Sequence, residues 1–445
     1  MVLGIGCGYY TSAYPAGRPG VSNLSRFFYS LFFYLALPFV LLRLLWRSRK
    51  EPEYRSDLLQ RFGFFRSAFT GDVIWIHAVS AGETIAAVPL VERLVSQGHH
   101  CLVTNMTPTG RDRVRTLLGG KVENCYAPYD LPGSVARFLD VNQPTLHIII
   151  DTELWPNTIA ACARRGIPVL LVNGRMSIRS ARGYRRISSL SRPMFAGLTA
   201  LSVQTDQHRQ RFMDLGACEN RVRVTGSIKF DADESANTAD GFEKAQALVG
   251  GRPVLLGAST HDGEESALVE AYLAARDKLN DLLLVLVPRH THRSSQVADY
   301  CESAGLTCAK FSETEPETIK ADVLLVDVMG ELNGFYQVAQ VALVGGSLVP
   351  VGGHNLLEAV RARCAVLMGP HLDNIDDIAG QFEQAGGMIV VPDAESLSQQ
   401  VSLLLPDKSR RDTLTRAAEQ VLRENRGSLD RIESLIQEHL GGDAS

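Results

Sequence analysis

The sequence predicts an α/β chain of two doubly wound parallel-sheet domains behind an apolar N-terminal segment. Three observations lead there. At 445 residues the chain exceeds what one hydrophobic core organises, so two domains of roughly 200 residues are the expectation. Short apolar runs alternate with helix-length segments through both halves, the pattern of strands buried by helices on both faces. Polar, glycine-containing loops follow several of those runs, and open parallel sheets place ligands beyond their carboxyl ends.

The first 23 residues, rich in Gly, Tyr and Pro, read as a flexible preface. Residues 24–47 read as a membrane anchor. Phe27 through Trp46 makes 20 residues, about the minimum for a spanning helix. Arg43 interrupts the run and Pro38 can kink it, so an interfacial helix or a buried core helix stays open. Arg47, Arg49, Lys50, Arg55, Arg61 and Arg66 on its far side outnumber Arg18 and Arg26, which places the body of the protein on the cytoplasmic side. Residues 48–231 form the first domain, with strands expected at Val73–Ile76, Cys101–Asn105, Leu146–Ile150, Val169–Val172 and Leu201–Val203. Residues 232–250 lose apolar periodicity and read as a linker. A second domain, 251–420, alternates again, with strands at Val254–Leu256, Leu282–Val287, Val323–Val326, Val341–Val344, Ala365–Met368 and Met388–Val391. Residues 421–445 form a C-terminal helix and tail, with helical periodicity from Leu422 to Leu440.

Charge divides the same way. Residues 1–229 hold 28 Lys and Arg against 15 Asp and Glu, whereas residues 230–445 hold 17 against 34. A uniformly basic nucleic-acid-binding protein is excluded, and a large anionic partner is expected to meet the first half. The eight cysteines (7, 101, 125, 162, 218, 301, 308 and 364) contain no C-x-x-C pair and several lie in apolar runs. They read as reduced thiols, not as a disulfide framework or zinc site.

Polar residues concentrate in the loops. In the second domain Gly257-Ala258-Ser259-Thr260, Pro288-Arg289-His290, Met329-Gly330-Glu331-Leu332 and the segment Gly345–Glu358 all follow strands. Glycines allow close approach to a ligand, and a helix beginning near Asn355 offers unpaired N–H groups to a phosphate. A glycine-rich turn made for packing alone is the alternative. Arg289 reads as the leading phosphate clamp or as a surface ion pair, Ser259, Thr260 and Ser347 offer further contacts, and Asn355 and Glu358 suit phosphate or ribose recognition or an N-cap with first-turn polarity. In the first domain Glu83 follows a glycine at a strand-to-helix junction, where a carboxylate serves either as a general base or as a helix cap. Asp151 and Glu153 either support the same site or cap local structure. Arg175, Arg179, Arg182, Arg185, Arg186 and Arg192 recur partly at helical spacing. They read as a solvated face, an RNA contact or a phosphate-binding surface.

In order along the chain stand HAVSAGE (77–83), TPTG (107–110), DTELWPN (151–157), NGRMSIRS (173–180), VTGSIKFD (224–231), GAST (257–260), PRH (288–290), MGEL (329–332) and GGSLVPVGGHNLLEA (345–359). With the apolar start, this series resembles the bacterial 3-deoxy-D-manno-oct-2-ulosonic acid (Kdo) transferases of lipid A assembly. Three positions depart from the pattern: Ala81 is a compact variant, and Leu356 and Ala359 stand where proline is common. The resemblance implies a GT-B glycosyltransferase, two Rossmann-like domains facing a central cleft, with the final helix crossing back toward the first. It implies inverting transfer of Kdo from CMP-Kdo to a tetraacylated disaccharide bisphosphate lipid A precursor, once or twice, at the inner membrane, without nucleic acid or a cofactor. Glu83 would be the base and Lys229 would offset leaving-group charge. Ser259, Thr260, Arg289, His290, Gly330, Glu331, Leu332, Ser347, Asn355 and Glu358 would bind CMP. Ser80, Gly82, Thr109, Arg175 and Arg179 would bind the acceptor, with Asp151 and Glu153 as cleft support. CMP-Kdo carries one phosphate, so no obligatory metal is expected. A different nucleotide-sugar transferase or a noncatalytic membrane-associated nucleotide sensor are the alternatives.

Overall fold

Runs such as Val73-Ile74-Trp75-Ile76 and Leu146-His147-Ile148-Ile149-Ile150 are apolar on both faces of a strand, so helices must cover both sides. The computed structural model describes residues 19–49, 51–69, 71–231, 238–279, 281–314 and 319–440. The chain divides into two units, Met1–Ala232 with Gly427–Ser445, and Asp233–Arg426.

The first unit holds strands β1 (Val73–His77), β2 (His100–Asn105), β3 (Glu123–Tyr126), β4 (Leu146–Ile150), β5 (Val169–Gly174), β6 (Ala200–Val203) and β7 (Val222–Val224). They form one parallel sheet in the order β3-β2-β1-β4-β5-β6-β7. The order reverses between β1 and β4, where Ile74 lies beside Leu146 and His77 beside Ile149. Loops leaving β1 and β4 therefore open a crevice at the switch point. On one face Ile74, Ile76, Ile148 and Ile150 pack with Leu90 and Leu94 of the helix Ala81–Ser96. The helix Ser428–Leu440 returns to this face, adding Leu429, Ile432, Leu435 and Ile436. On the other face Trp75, Leu102 and Ile149 meet Phe138, Ile159 and Phe195.

The helix Pro19–Arg47 contains Asn23–Arg47, a segment of mean hydropathy 1.9 that is long and apolar enough to cross a membrane. Phe28, Leu31, Leu35, Phe39, Leu42 and Trp46 follow one another at three- and four-residue spacing and are all exposed, Phe39 by 74%. Another side leans on its own unit: Asn157 donates to Ser30 Oγ at 3.0 Å, and Phe33 meets Trp155 edge to face at 6.5 Å. Buried Asp130 fixes this support by accepting from the N–H groups of Asn157 and Thr158 at 2.9 and 2.7 Å and from the Tyr29 hydroxyl. The helix begins at Pro19, inside the stretch expected to be a flexible preface; residues 1–18 of that stretch lie outside the described residues.

The second unit holds β8 (Val254–Thr260), β9 (Leu283–Pro288), β10 (Cys308–Lys310), β11 (Val323–Leu325), β12 (Val341–Val344), β13 (Ala365–Met368) and β14 (Ile389–Val390). They too are parallel, in the order β10-β11-β9-β8-β12-β13-β14, and the switch point lies between β8 and β12. The expected linker 232–250 contains instead a helix, Thr238–Val249, whose apolar residues Ala245, Leu248 and Val249 are buried. Residues 232–237 lie outside the described residues. A continuous helix, Lys408–Asn425, also runs through the expected boundary at 421.

The helix Thr238–Val249 packs on a second helix, Leu332–Val338, so closely that a Cβ added at Gly334 would lie 2.3 Å from the Gly241 carbonyl oxygen. Backbone cannot retreat as a side chain does. Gly334→Ala is expected to destabilise the second unit by about 1–3 kcal/mol. Thermal unfolding followed by hydrogen exchange in these two helices measures it.

Candidate active site

Ser80 is the N-cap of the helix Ala81–Ser96, and Glu83 stands in its first turn, in the S-x-x-E spacing of a capping box. Glu83 Oε2 accepts the Val79 N–H at 2.7 Å and Oε1 accepts the Ser80 hydroxyl at 3.0 Å. The capping alternative therefore describes a contact that Glu83 does make. The rest of its environment is unusual for a cap. Burial, opposed by the Val79 N–H and the Ser80 hydroxyl and assisted by the Asp151 and Glu153 charges, pushes its carboxyl up to about 7. Such a group changes protonation near neutrality.

The neighbouring loops are tied to this one through backbone. Asn105 donates to the Ala78 carbonyl at 2.6 Å and to Thr84 Oγ1 at 3.0 Å, and Met106 N–H donates to the Val79 carbonyl at 3.0 Å. Thr107 then caps the helix Pro108–Leu118 by accepting from Gly110 N–H, which leaves Thr109 exposed beside the half-buried Ser80 loop and the exposed Gly82.

The loop after β4 turns at Asp151, which holds a φ of 61°. Its side chain accepts from Asn173 Nδ2 at 2.6 Å, and Asn173 Oδ1 accepts from Ile228 N–H at 3.2 Å. This chain of bonds draws the turn Ile228–Phe230, and with it Lys229, to the carboxyl ends of β4 and β5. Arg175 Nε lies 4.0 Å from Asp151 Oδ2. Burial and Asp151 raise the Glu153 carboxyl as well. Glu83, Asp151, Glu153 and Arg175 thus share one crevice end. Arg179 stands farther out, exposed on the helix Ile178–Arg186 with Arg182, Arg185 and Arg186.

In the second unit the glycine segment is organised by a residue that the sequence reading did not single out. The fully buried Glu264 accepts four backbone N–H groups: His261 at 2.9 Å, Gly346 at 2.8 Å, Ser347 at 3.0 Å and Leu348 at 2.9 Å. Two expected phosphate ligands are consequently turned inward. Ser347 is fully buried, donates its hydroxyl to the Val344 carbonyl and accepts from Gly369 N–H at 2.8 Å. Thr260 is the last residue of β8, fully buried, and donates to Glu265 Oε1 at 2.9 Å. The helix expected near Asn355 begins at Leu357 and has five residues. Asn355 precedes it, accepting from Leu357 N–H at 3.1 Å and donating to Glu358 Oε1 at 3.1 Å.

The other expected donor residues line the open edge of this sheet. Ser259 is half-buried at a φ of 54°, in the irregularity where β8 shifts register against β9. Arg289 and His290 are exposed immediately after β9. Gly330, at a φ of 97°, leads through half-buried Glu331 into the helix that begins at Leu332. Two histidines join them: His261 Nε2 lies 2.8 Å from His354 Nε2, with the rings stacked. Burial, His261, Arg289 and His290 push His354 down to about 4. The signal for Glu264 was present in Gly263-Glu264, which repeats Gly82-Glu83 at the start of the helix after each unit's first strand. Among the described residues no group of three His, Cys, Asp or Glu side chains is disposed to hold a metal ion.

Two outcomes follow from these carboxylates. Glu83 binds its proton more tightly folded than unfolded, so its contribution to stability falls as pH rises from about 4.5 to about 7. Glu83→Gln is expected to remove that slope, seen as denaturation midpoints whose difference from the unaltered protein grows in the variant's favour across the window. Glu264→Gln puts an amide donor among backbone donors, and a loss of about 1.5–3 kcal/mol is expected from thermal unfolding.

Residues 56–232 match the family described as 3-deoxy-D-manno-octulosonic-acid transferase (kdotransferase). The chain is 36% identical to the 3-deoxy-D-manno-octulosonic acid transferase of Haemophilus influenzae over 421 residues, covering 93% of this chain and 99% of that one. It is 37% identical to the transferase of the same name from Bordetella pertussis over 378 residues, 83% of this chain and 87% of the other. Among solved structures, a glycosyltransferase from Rickettsia africae matches with a TM-score of 0.57 at 13% identity, over 84% of this chain and all of that one. The UDP-GlcNAc 2-epimerase of Neisseria meningitidis also matches with a TM-score of 0.57, at 14% identity, over 82% of this chain. These two likenesses concern fold: two parallel sheets flanked by helices, of the GT-B-like kind.

Proposed function

This chain belongs to the 3-deoxy-D-manno-octulosonic acid transferase family and is a Kdo-transferring glycosyltransferase, and we propose that it moves Kdo from CMP-Kdo to a tetraacylated disaccharide bisphosphate precursor of lipid A by a single inverting displacement. The observation that carries the mechanism is the Glu83 carboxyl, held near neutrality by burial beside Asp151 and Glu153. In the reaction an acceptor hydroxyl oxygen forms a bond to the Kdo anomeric carbon. The bond from that carbon to the phosphate oxygen breaks, its electron pair leaves with CMP, and the hydroxyl proton passes to Glu83. A carboxyl titrating near 7 accepts this proton at physiological pH.

The remaining roles divide between the units. In the second, exposed Arg289 and His290 supply positive charge and donors for the CMP phosphate. Ser259, Gly330, Glu331, Leu332, Asn355 and Glu358 complete the donor site, with Glu358 accepting from ribose hydroxyls. Ser347 and Thr260 support that edge from within. In the first unit Ser80, Gly82, Thr109, Arg175 and Arg179 receive the phosphorylated acceptor, Asp151 orients Arg175, and Lys229 offsets charge developing on CMP. Positive side chains make an obligatory divalent metal unnecessary for a leaving group with one phosphate. The exposed apolar side of the helix Pro19–Arg47 holds the enzyme at the inner membrane, with both units on the cytoplasmic side.

The test is a time-resolved lipid mass spectrum with purified protein, CMP-Kdo and the tetraacylated disaccharide bisphosphate. Products carrying one and then two added Kdo residues are expected, with kcat/KM rising through about pH 7. Glu83→Gln should lower kcat at least about 100-fold while leaving CMP binding intact. Near-normal turnover in that variant refutes the base assignment, arrest after one sugar refutes double transfer, and absence of any added Kdo refutes the substrate reading.

A further inference from the structure

Under the helix Pro19–Arg47 lies a cavity of about 170 Å³. Phe33 and Val40 of that helix roof it, and Trp75, Met106, Ala127 and Trp155 form much of the wall. Two buried polar atoms on its lining have no partner among the described residues, His77 Nε2 and the Tyr129 hydroxyl. Their residues are 3% and 5% exposed. Thr104 Oγ1 accepts from Trp75 Nε1 at 2.8 Å and lies 3.0 Å from His77 Nδ1 and 3.5 Å from the Ile76 carbonyl, so Nδ1 is already partnered while Nε2 is not. His77 Nε2 is the unpartnered polar atom that this ring presents at the cavity. Buried polar atoms without partners are rare and call for an occupant. The space is between five and six times the ≈30 Å³ share of one water; Asp130, His147 and Thr158 also line it but already bond within the protein, so a water cluster finds few of the two to four partners each member needs.

We propose that this cavity binds a segment of one acyl chain of the lipid acceptor, with a carbonyl or hydroxyl oxygen of the chain hydrogen-bonded to His77 Nε2 and to the Tyr129 hydroxyl. This deepens the acceptor reading above and rests on it. Two placements favour the acceptor over a bulk membrane lipid. His77 ends β1, and the loop that leaves it leads into the helix turn that carries Glu83, so a chain seated here belongs to the molecule whose hydroxyl reaches the base. The roof is the helix whose outer side is the exposed apolar stripe, so the pocket adjoins the surface along which a membrane-borne acyl chain arrives.

The experiment uses the full chain in detergent micelles. A tetraacylated disaccharide bisphosphate bearing a diazirine in its acyl chains is expected to crosslink to Met106 or Trp155. A phosphatidylethanolamine with the same diazirine is expected to label only the outer stripe, such as Phe28 and Phe39. Ala127→Leu and, from the helix side, Val40→Phe should lower kcat/KM for the tetraacylated acceptor about tenfold or more relative to the fully deacylated disaccharide bisphosphate, whose turnover should not change. The second variant serves if the first fails to fold. Equal loss with both acceptors, no loss with either, or phospholipid labelling of Met106 and Trp155 that the acceptor does not displace overturns the proposal. If Kdo transfer proceeds while any of these is found, only the pocket fails; if no Kdo is transferred at all, the acceptor reading fails with it.

Discussion

A buried parallel strand must hand its chain to a loop whose backbone N–H groups cannot all reach water. In both units this problem falls on the loop after the first strand, and in both a glutamate from the following helix turns back to meet it. Glu264 does so completely, accepting four N–H groups and drawing the segment from Gly346 to Leu348 against the end of β8. Glu83 does so partially, with one N–H and one hydroxyl, and is left half-buried. The difference separates structure from chemistry. A carboxylate surrounded by fixed donors has no remaining role beyond holding them, whereas one that is desolvated and only partly satisfied exchanges a proton near neutral pH.

The same constraint explains why the placement of some candidate site residues was legible and that of others was not. Spacing told which side chains stand at strand ends, and Glu83, Asp151, Glu153 and Arg175 do meet there. Spacing did not tell which way a side chain points once a loop is pinned. Ser347 and Thr260 look like ligands in a linear reading, but Glu264 and Glu265 organise them inward. His261 and His354 are far apart in sequence and meet only because β8 and β12 are neighbours in the sheet.

Strand legibility followed burial. The central strands β1, β4, β12 and β13 are uninterrupted apolar runs or close to it, and their limits were read to within a residue. β3, β7 and β10 were not read at all. Each lies at a sheet edge, has three or four residues and carries a charged side chain: Glu123, Arg223 and Lys310. Edge strands tolerate such residues because one side is open, and the charge that protects the edge removes the apolar signal.

The return of the helix Ser428–Leu440 to the first unit has a consequence for biosynthesis. Its Leu429, Ile432, Leu435 and Ile436 complete one face of a sheet whose strands, Val73 to Val224, lie 205 to 356 residues before Leu429. While the intervening unit is translated, that sheet waits with Ile74, Ile76 and Ile148 incompletely covered. The usual vectorial order, in which an early domain finishes before a later one begins, does not apply. Nascent chains of this protein therefore expose an unfinished greasy face throughout the making of the second unit, a natural substrate for ribosome-associated chaperones.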